Sequence, residues 1–176
     1  MINNYEFFND CVYIMSALKK FGAKDICVAG GAIRDTLLGK PVKDIDVFFT
    51  GELDLDDESE LAKHYGLEWN TDDPIVDSTS YEDSPISVMK STLSFKDIEY
   101  PVQLIQIHGT SLEDIVAQVD AFPCGLSKAI LQEDGTLSLA SDFLQNEYFK
   151  IVSYKPDSPM KYKNKLQQKY PEYVHE

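Results

Sequence analysis

The stretch GGAIRDTLLGKPVKDIDVFF, Gly30 to Phe49, decides how this chain is read. The apolar run DICVA immediately ahead of it stops at the glycine pair, and AIRDTLLG reads as a helix of two to three turns closed by Gly39. That order is strand, tight turn, helix. After a loop containing Pro41, DIDVFFT is rich in Ile, Val and Phe and ends at Thr50-Gly51, as a second buried strand does. On a strand, residues two apart share a face, so Asp44 and Asp46 set two carboxylates side by side while Ile45 points into the opposite layer. Such a pair either holds a divalent cation together with phosphate oxygens and water, or is simply a pair of acids at a strand mouth. Gly30 and Gly31, without Cβ atoms, let backbone amides approach a phosphate at the start of a helix; a plain strand-to-helix turn would use the same residues. The two features within one unit are more specific than either alone.

Working outward, Phe8, Cys11, Val12, Met15, Leu18 and Phe21 recur at three- and four-residue spacing, which predicts an amphipathic helix ended by Gly22. The acidic run Glu52 to Glu60 reads as a solvated loop leading into a helix around Leu61 to Tyr65. Asn70 to Pro85, polar and rich in Asp, Ser and Thr, reads as a long loop. VMKSTLSF and IEYPVQLIQI flank a Lys96-Asp97 turn as a hairpin, with Pro101 disfavouring a central place for its part of the second strand. Ser111 is the expected N-cap of a core helix carrying Leu112, Ile115, Val116 and Val119 on one face. ILQEDGTLSLA reads as a second hairpin turning at Asp134-Gly135, and SDFLQNEYFKIV fits helix or strand equally.

The bulk properties narrow the function classes. A chain of 176 residues suits one domain with a sizeable core. A net charge of −14 and an isoelectric point near 4.5 exclude nucleic-acid binding through a broad basic face and leave room only for local contacts. No apolar run is long enough to span a bilayer, and the start carries no basic, cleavable leader, so the cytoplasm is the expected compartment. Cys11, Cys27 and Cys124 read as buried core thiols. His64, His108 and His175 lack zinc-like spacing and read as solvated or locally bonded. From Pro156 onward Lys161, Lys163, Lys165 and Lys169 concentrate positive charge, which divides the chain into a main domain, 1–155, and a lysine-containing helical appendage, 156–176. The appendage either makes a small contact with phosphate or docks on the acidic domain by complementary charge.

The GGxxRDxLLG turn and helix followed by a DxD strand resembles the N-terminal head of the poly(A) polymerase and tRNA CCA-adding nucleotidyltransferases. The resemblance rests on Gly30, Gly31, Arg34, Asp35, Leu37, Leu38, Gly39, Asp44 and Asp46. The later segment VDAFPCGLSKAIL and the ending KLQQKYP resemble short phage-type nucleotidyltransferase proteins. The resemblance implies an α/β (α+β) polymerase beta-like fold, a mixed sheet packed on helices. It implies transfer of a nucleoside monophosphate from an NTP to an acceptor hydroxyl, with Asp44 and Asp46 holding magnesium, or manganese, and Gly30 and Gly31 cradling the triphosphate. Arg34 and Lys43 are candidates for further phosphate contacts, or for pairing with nearby acids. The family pattern also has a third carboxylate on a neighbouring strand. Here PVQLIQ offers Gln103, with Asp120 and Glu99 as substitutes, and a neutral amide does not neutralise charge.

Three functions follow as expectations. The first is a magnesium-dependent nucleotidyltransferase whose acceptor is RNA, protein or a small molecule. The second is a catalytically degenerate nucleotide- or protein-binding module of the same fold, motivated by Gln103 and by the missing helical neck and body. The third is an acidic decoy for a basic partner, motivated by the −14 charge.

Overall fold

The computed structural model describes residues 4–56, 58–70 and 87–176. The long polar loop expected over Asn70 to Pro85 lies, beyond Asn70, outside the described residues. Helix α1 spans Asn4–Lys20 and buries Phe7, Cys11, Ile14, Met15 and Leu18. The buried stripe is therefore rotated by about one residue from the expected one, and Phe8 and Val12 only flank the core. Strand β1 (Ala23–Ala29), helix α2 (Gly31–Leu37) and strand β2 (Ile45–Gly51) follow the order expected, with Gly39 at φ +73 ending the helical segment. Helix α3 (Glu60–Tyr65) is capped by Ser59, whose hydroxyl accepts from the Ala62 amide.

Strands β3 (Glu68–Asn70), β4 (Ser87–Ser94) and β5 (Val102–Ile107) complete one half of the sheet. β4 and β5 pair antiparallel as the predicted hairpin, turning through Asp97 at φ +66. Pro101 stands just before β5, where it needs no ladder donor, and its carbonyl accepts from the Ile45 amide at 2.9 Å. Helix α4 (Leu112–Asp120) begins at Ser111, where the Asp114 carboxylate accepts from the amides of Thr110 and Ser111. Strands β6 (Ala129–Gln132) and β7 (Leu137–Leu139) form the second hairpin, with Gly135 at φ +87 and the Asp134 carboxylate accepting from the Thr136 amide. The segment that fits two periodicities contains both, helix α5 (Ser141–Phe149) and strand β8 (Ile151–Val152), separated by Lys150 in the left-handed conformation. Helix α6 (Met160–Lys169) and strand β9 (Val174–His175) follow, with β9 pairing parallel to β8.

The main sheet has seven strands in the order β3-β4-β5-β2-β1-β6-β7, all neighbours antiparallel except β2 and β5. The fold is mixed α/β, with β2 in the centre. Alternation along the strands divides the core into two layers. Val28, Val47, Phe49 and Leu104 join α1, α2, α3, α5 and α6 in the larger one. Cys27, Ala29, Phe48 and Ile105 meet Ile115, Val119 and Phe122, from α4 and just beyond it, in the smaller. The three cysteines are all buried, free thiols, and burial pushes the Cys27 thiol up to about 12. His175 is bonded locally, to the Tyr154 hydroxyl at 2.7 Å and the Tyr170 carbonyl at 2.8 Å. No described helix is long and apolar enough to cross a membrane.

Candidate functional site

The antiparallel register of β1 and β2 brings the glycine turn and the two aspartates to one end of the sheet. Val28 pairs with Val47, and the same register continued two residues sets Gly30 level with Ile45, between Asp44 and Asp46. Ile45 belongs to the larger core layer and is fully buried, so Asp46 has the parity of Phe48 and lies on the α4 side, while Asp44 stands just ahead of β2. Gly30 takes φ +85 and ψ −138, a conformation that only glycine adopts without strain. Its amide donates to the Ala129 carbonyl and its carbonyl accepts from the Arg34 amide, so the turn is tied to both β6 and α2. The Phe122 ring lies 3.4 Å from the position a Cβ on Gly30 would take, and it packs against Phe48 with ring centroids 5.7 Å apart.

Gln103 is the Cα partner of Asp46 in the parallel β2–β5 ladder, and its Nε2 donates to Asp44 Oδ2 at 3.4 Å. The neutral amide thus stands beside both carboxylates. Asp44 and Asp46 are each partly exposed, and Asp46 Oδ1 is shielded from solvent. Two carboxylates fit one divalent cation that keeps waters and shares phosphate oxygens, with the Gln103 Nε2 group beside them. Among the described residues no set of three acidic, histidine or cysteine ligands comes together. Asp120 ends α4 on the surface, two residues before Phe122, and Glu99 is exposed in the connection ahead of β5. Neither joins the aspartate pair in a three-ligand set. Lys43 is exposed beside Asp44.

Of the two roles open to Arg34, the geometry displays pairing with acid. Arg34 is 4% exposed; its Nε donates to Asp35 Oδ1 at 2.8 Å and its Nη1 to the Ser127 hydroxyl at 2.8 Å. Its third nitrogen, Nη2, lies 3.2 Å from where a Cβ on Gly31 would be, so the cation sits directly against the turn. Asp35 also receives the Tyr170 hydroxyl at 2.6 Å on Oδ1 and the Lys169 ammonium on Oδ2. Burial works against both charges, but Asp35 together with Tyr162 and Tyr170 holds the guanidinium firmly protonated. Against the same burial, Arg34, Lys169 and Tyr170 bring the Asp35 carboxyl below its ordinary range. Ser127, Tyr162, Lys169 and Tyr170 were not marked as a set by the sequence. The signal that could have found them is a buried RD pair in α2, which requires partners from elsewhere in the chain.

Comparison with known proteins bears on the family and the fold. The model of the Gabija anti-defense 2 family matches residues 4–145. The chain belongs to the Gabija anti-defense 2 family. Among solved structures, the apo form I of a CCA-adding enzyme superposes with a TM-score of 0.61 at 16% identity, over 97% of this chain and 42% of that one. A CCA-adding enzyme in complex with ATP gives 0.59 at 14% identity, over 98% and 39%. The Bacillus stearothermophilus CCA-adding enzyme in complex with CTP gives 0.51 at 16% identity, over 84% and 33%. These likenesses establish a nucleotidyltransferase-like head fold. The chain spans between a third and about two fifths of the length of these solved chains. No curated protein matches it by sequence.

Proposed function

We propose that this chain binds a nucleoside triphosphate with magnesium, or manganese, at the glycine turn and the aspartate pair. It then transfers the nucleoside monophosphate to a hydroxyl on RNA, protein or a small molecule, and this activity counteracts the Gabija defence after which the family is named. The observation that carries the reading is the shared end of the sheet, where register sets Gly30 level with the residue between Asp44 and Asp46. Asp44 and Asp46 would hold the cation, which supplies charge neutralisation at the triphosphate and at the leaving oxygen. The amides of the glycine turn would bind phosphate oxygens, with the buried Arg34 cation adding favourable potential from behind the turn. Lys43, exposed beside Asp44, would meet the outer phosphates.

A second reading has its own support. The Gln103 amide at the aspartate pair leaves two negative charges where the family pattern has three, and this favours a module that binds nucleotide without turning it over. One experiment separates the two. NTP binding, pyrophosphate release and label transfer are followed for each of the four NTPs with magnesium, with total RNA and total protein as acceptors, beside Asp44→Asn/Asp46→Asn. Transfer that the double variant loses supports the enzyme. NTP binding without transfer supports the module, and neither binding nor transfer removes both readings.

A further inference from the structure

The ending KLQQKYP and the helical RD pair, separate in sequence, meet in one buried cluster. Lys169 and Tyr170 both contact the Asp35 carboxylate, and Arg34 shares Asp35 Oδ1 with the Tyr170 hydroxyl. The Arg34 guanidinium also lies 5.3 Å from the centre of the Tyr170 ring, a cation–π contact in a place shielded from water. Asp35 is 3% exposed and Tyr170 fully buried, so the cluster has little freedom to rearrange. On its other side the guanidinium touches the glycine turn, since Nη2 occupies the space just beyond the missing Cβ of Gly31. A continuous line of contacts therefore runs from the end of α6, through Asp35 and Arg34, to the turn.

We infer that Lys169 and Tyr170 are positioning residues that fix the Gly30–Gly31 turn and its underlying cation for binding the phosphates of a nucleoside triphosphate. The inference rests on the nucleotide reading above and adds that the site is assembled from both halves of the sequence. Tyr170 acts through its hydroxyl, which orients Asp35. Lys169 holds the second oxygen, so the carboxylate cannot swing away and release Arg34. Lys40 adds a tie between the same segments, pairing with Glu172 at 2.8 Å and lying 5.4 Å from the Tyr170 ring centre. Freed of these ties, the guanidinium would gain rotamers and the turn would lose the rigid surface behind it.

The test uses the full chain and the variants Tyr170→Phe, Lys169→Met and Lys169→Arg, with two readouts. Hydrogen exchange follows the α2 amides, among them Arg34 bonded to the Gly30 carbonyl at 3.1 Å and Leu38 bonded to the Arg34 carbonyl at 3.0 Å. Binding of ATP, CTP, GTP and UTP with magnesium is measured by calorimetry. Tyr170→Phe keeps the ring in the core and removes only the hydroxyl. It and Lys169→Met are expected to speed exchange across α2 and to weaken triphosphate binding by about tenfold, with Lys169→Arg restoring both. Unchanged exchange in both variants overturns the clasp itself. Faster exchange with undiminished binding overturns the positioning role and leaves a structural contact. A native chain that binds none of the four triphosphates overturns the nucleotide reading and the positioning role with it, while the exchange data still report whether the clasp exists.

Discussion

Replacing Gln103 with aspartate puts a third carboxylate beside the pair, and its effect can be worked from the geometry. Gln103 Nε2 lies 3.4 Å from Asp44 Oδ2, and an aspartate side chain is one methylene shorter. Its oxygens would then stand about 5 Å from those of Asp44, where two unit charges at an effective permittivity near 20 repel by about 3 kcal/mol. Partial exposure of both residues and ordinary salt reduce this to about 1–2 kcal/mol. Loss of the long amide-to-carboxylate bond adds about 0.5 kcal/mol. The metal-free variant should therefore be about 2 kcal/mol less stable, a fall in Tm of about 4–8 °C for a chain of this size. Magnesium at millimolar concentration should recover most of that loss, because the cation now meets three charges, while the native chain responds less. The assay is thermal unfolding in chelator and in magnesium, followed by nucleotidyl transfer, which the variant should raise above the native level. Equal Tm values in chelator together with equal shifts in magnesium would refute the assignment of this position to the cation site.

Asp35→Asn leaves the buried Arg34 without its carboxylate and should cost about 3 kcal/mol, read as a lower urea midpoint. Because the fold holds the Asp35 carboxyl below its ordinary range, the unfolded chain takes up that proton first. Its stabilising contribution is then complete above about pH 4 and declines as pH falls through the carboxylate range, a slope that acid unfolding should find diminished in Asp35→Asn. Gly30→Ala forces a side chain into φ +85, ψ −138 and should destabilise by about 1–3 kcal/mol, accompanied by weaker triphosphate binding; a neutral result would show the turn to be adaptable. The thiols of Cys11 and Cys27 should react with a thiol reagent only at the rate of unfolding, since both are fully buried and burial raises their pKa.

The parts of the fold that were legible are those encoded locally. β1, the glycine turn, α2 and β2 follow from a change of apolar period around two glycines, and of the two aspartates expected to open the second strand Asp46 lies on β2 while Asp44 stands just ahead of it. Both hairpins were marked by their turns, Lys96-Asp97 and Asp134-Gly135. Gln103 beside the aspartates came from the family resemblance, which looks for a third carboxylate on a neighbouring strand and led to PVQLIQ. What escaped was set by pairing across long separations. Nothing local says that β6 adds to β1, and the roughly 90 to 135 residues between Arg34 or Asp35 and their partners Ser127 and Tyr170 carry no periodic signal. The lysines at 161–169 were read from their charge and from the resemblance of KLQQKYP, whereas the segment also buries Leu166, Tyr170 and Tyr173 in the main core. The α1 stripe moved by one residue because Phe7 and Phe8 are equally apolar and only packing chooses between them.

The separation of 135 residues between Asp35 and Tyr170 also has a kinetic meaning. The β2–β5 pairing closes a loop of more than fifty residues, and the Asp35 contacts close one more than twice as long. Local helices and hairpins can form early, but α2 carries a charged pair whose second set of partners comes from the far end of the sequence. Its burial is thus expected late in folding, with the ordering of the glycine turn depending on Lys169 and Tyr170. A folding experiment should see the hairpins protected from exchange before α2, and a ribosome-bound chain lacking residues 169–170 should hold the turn unformed although every residue of the turn has already been made.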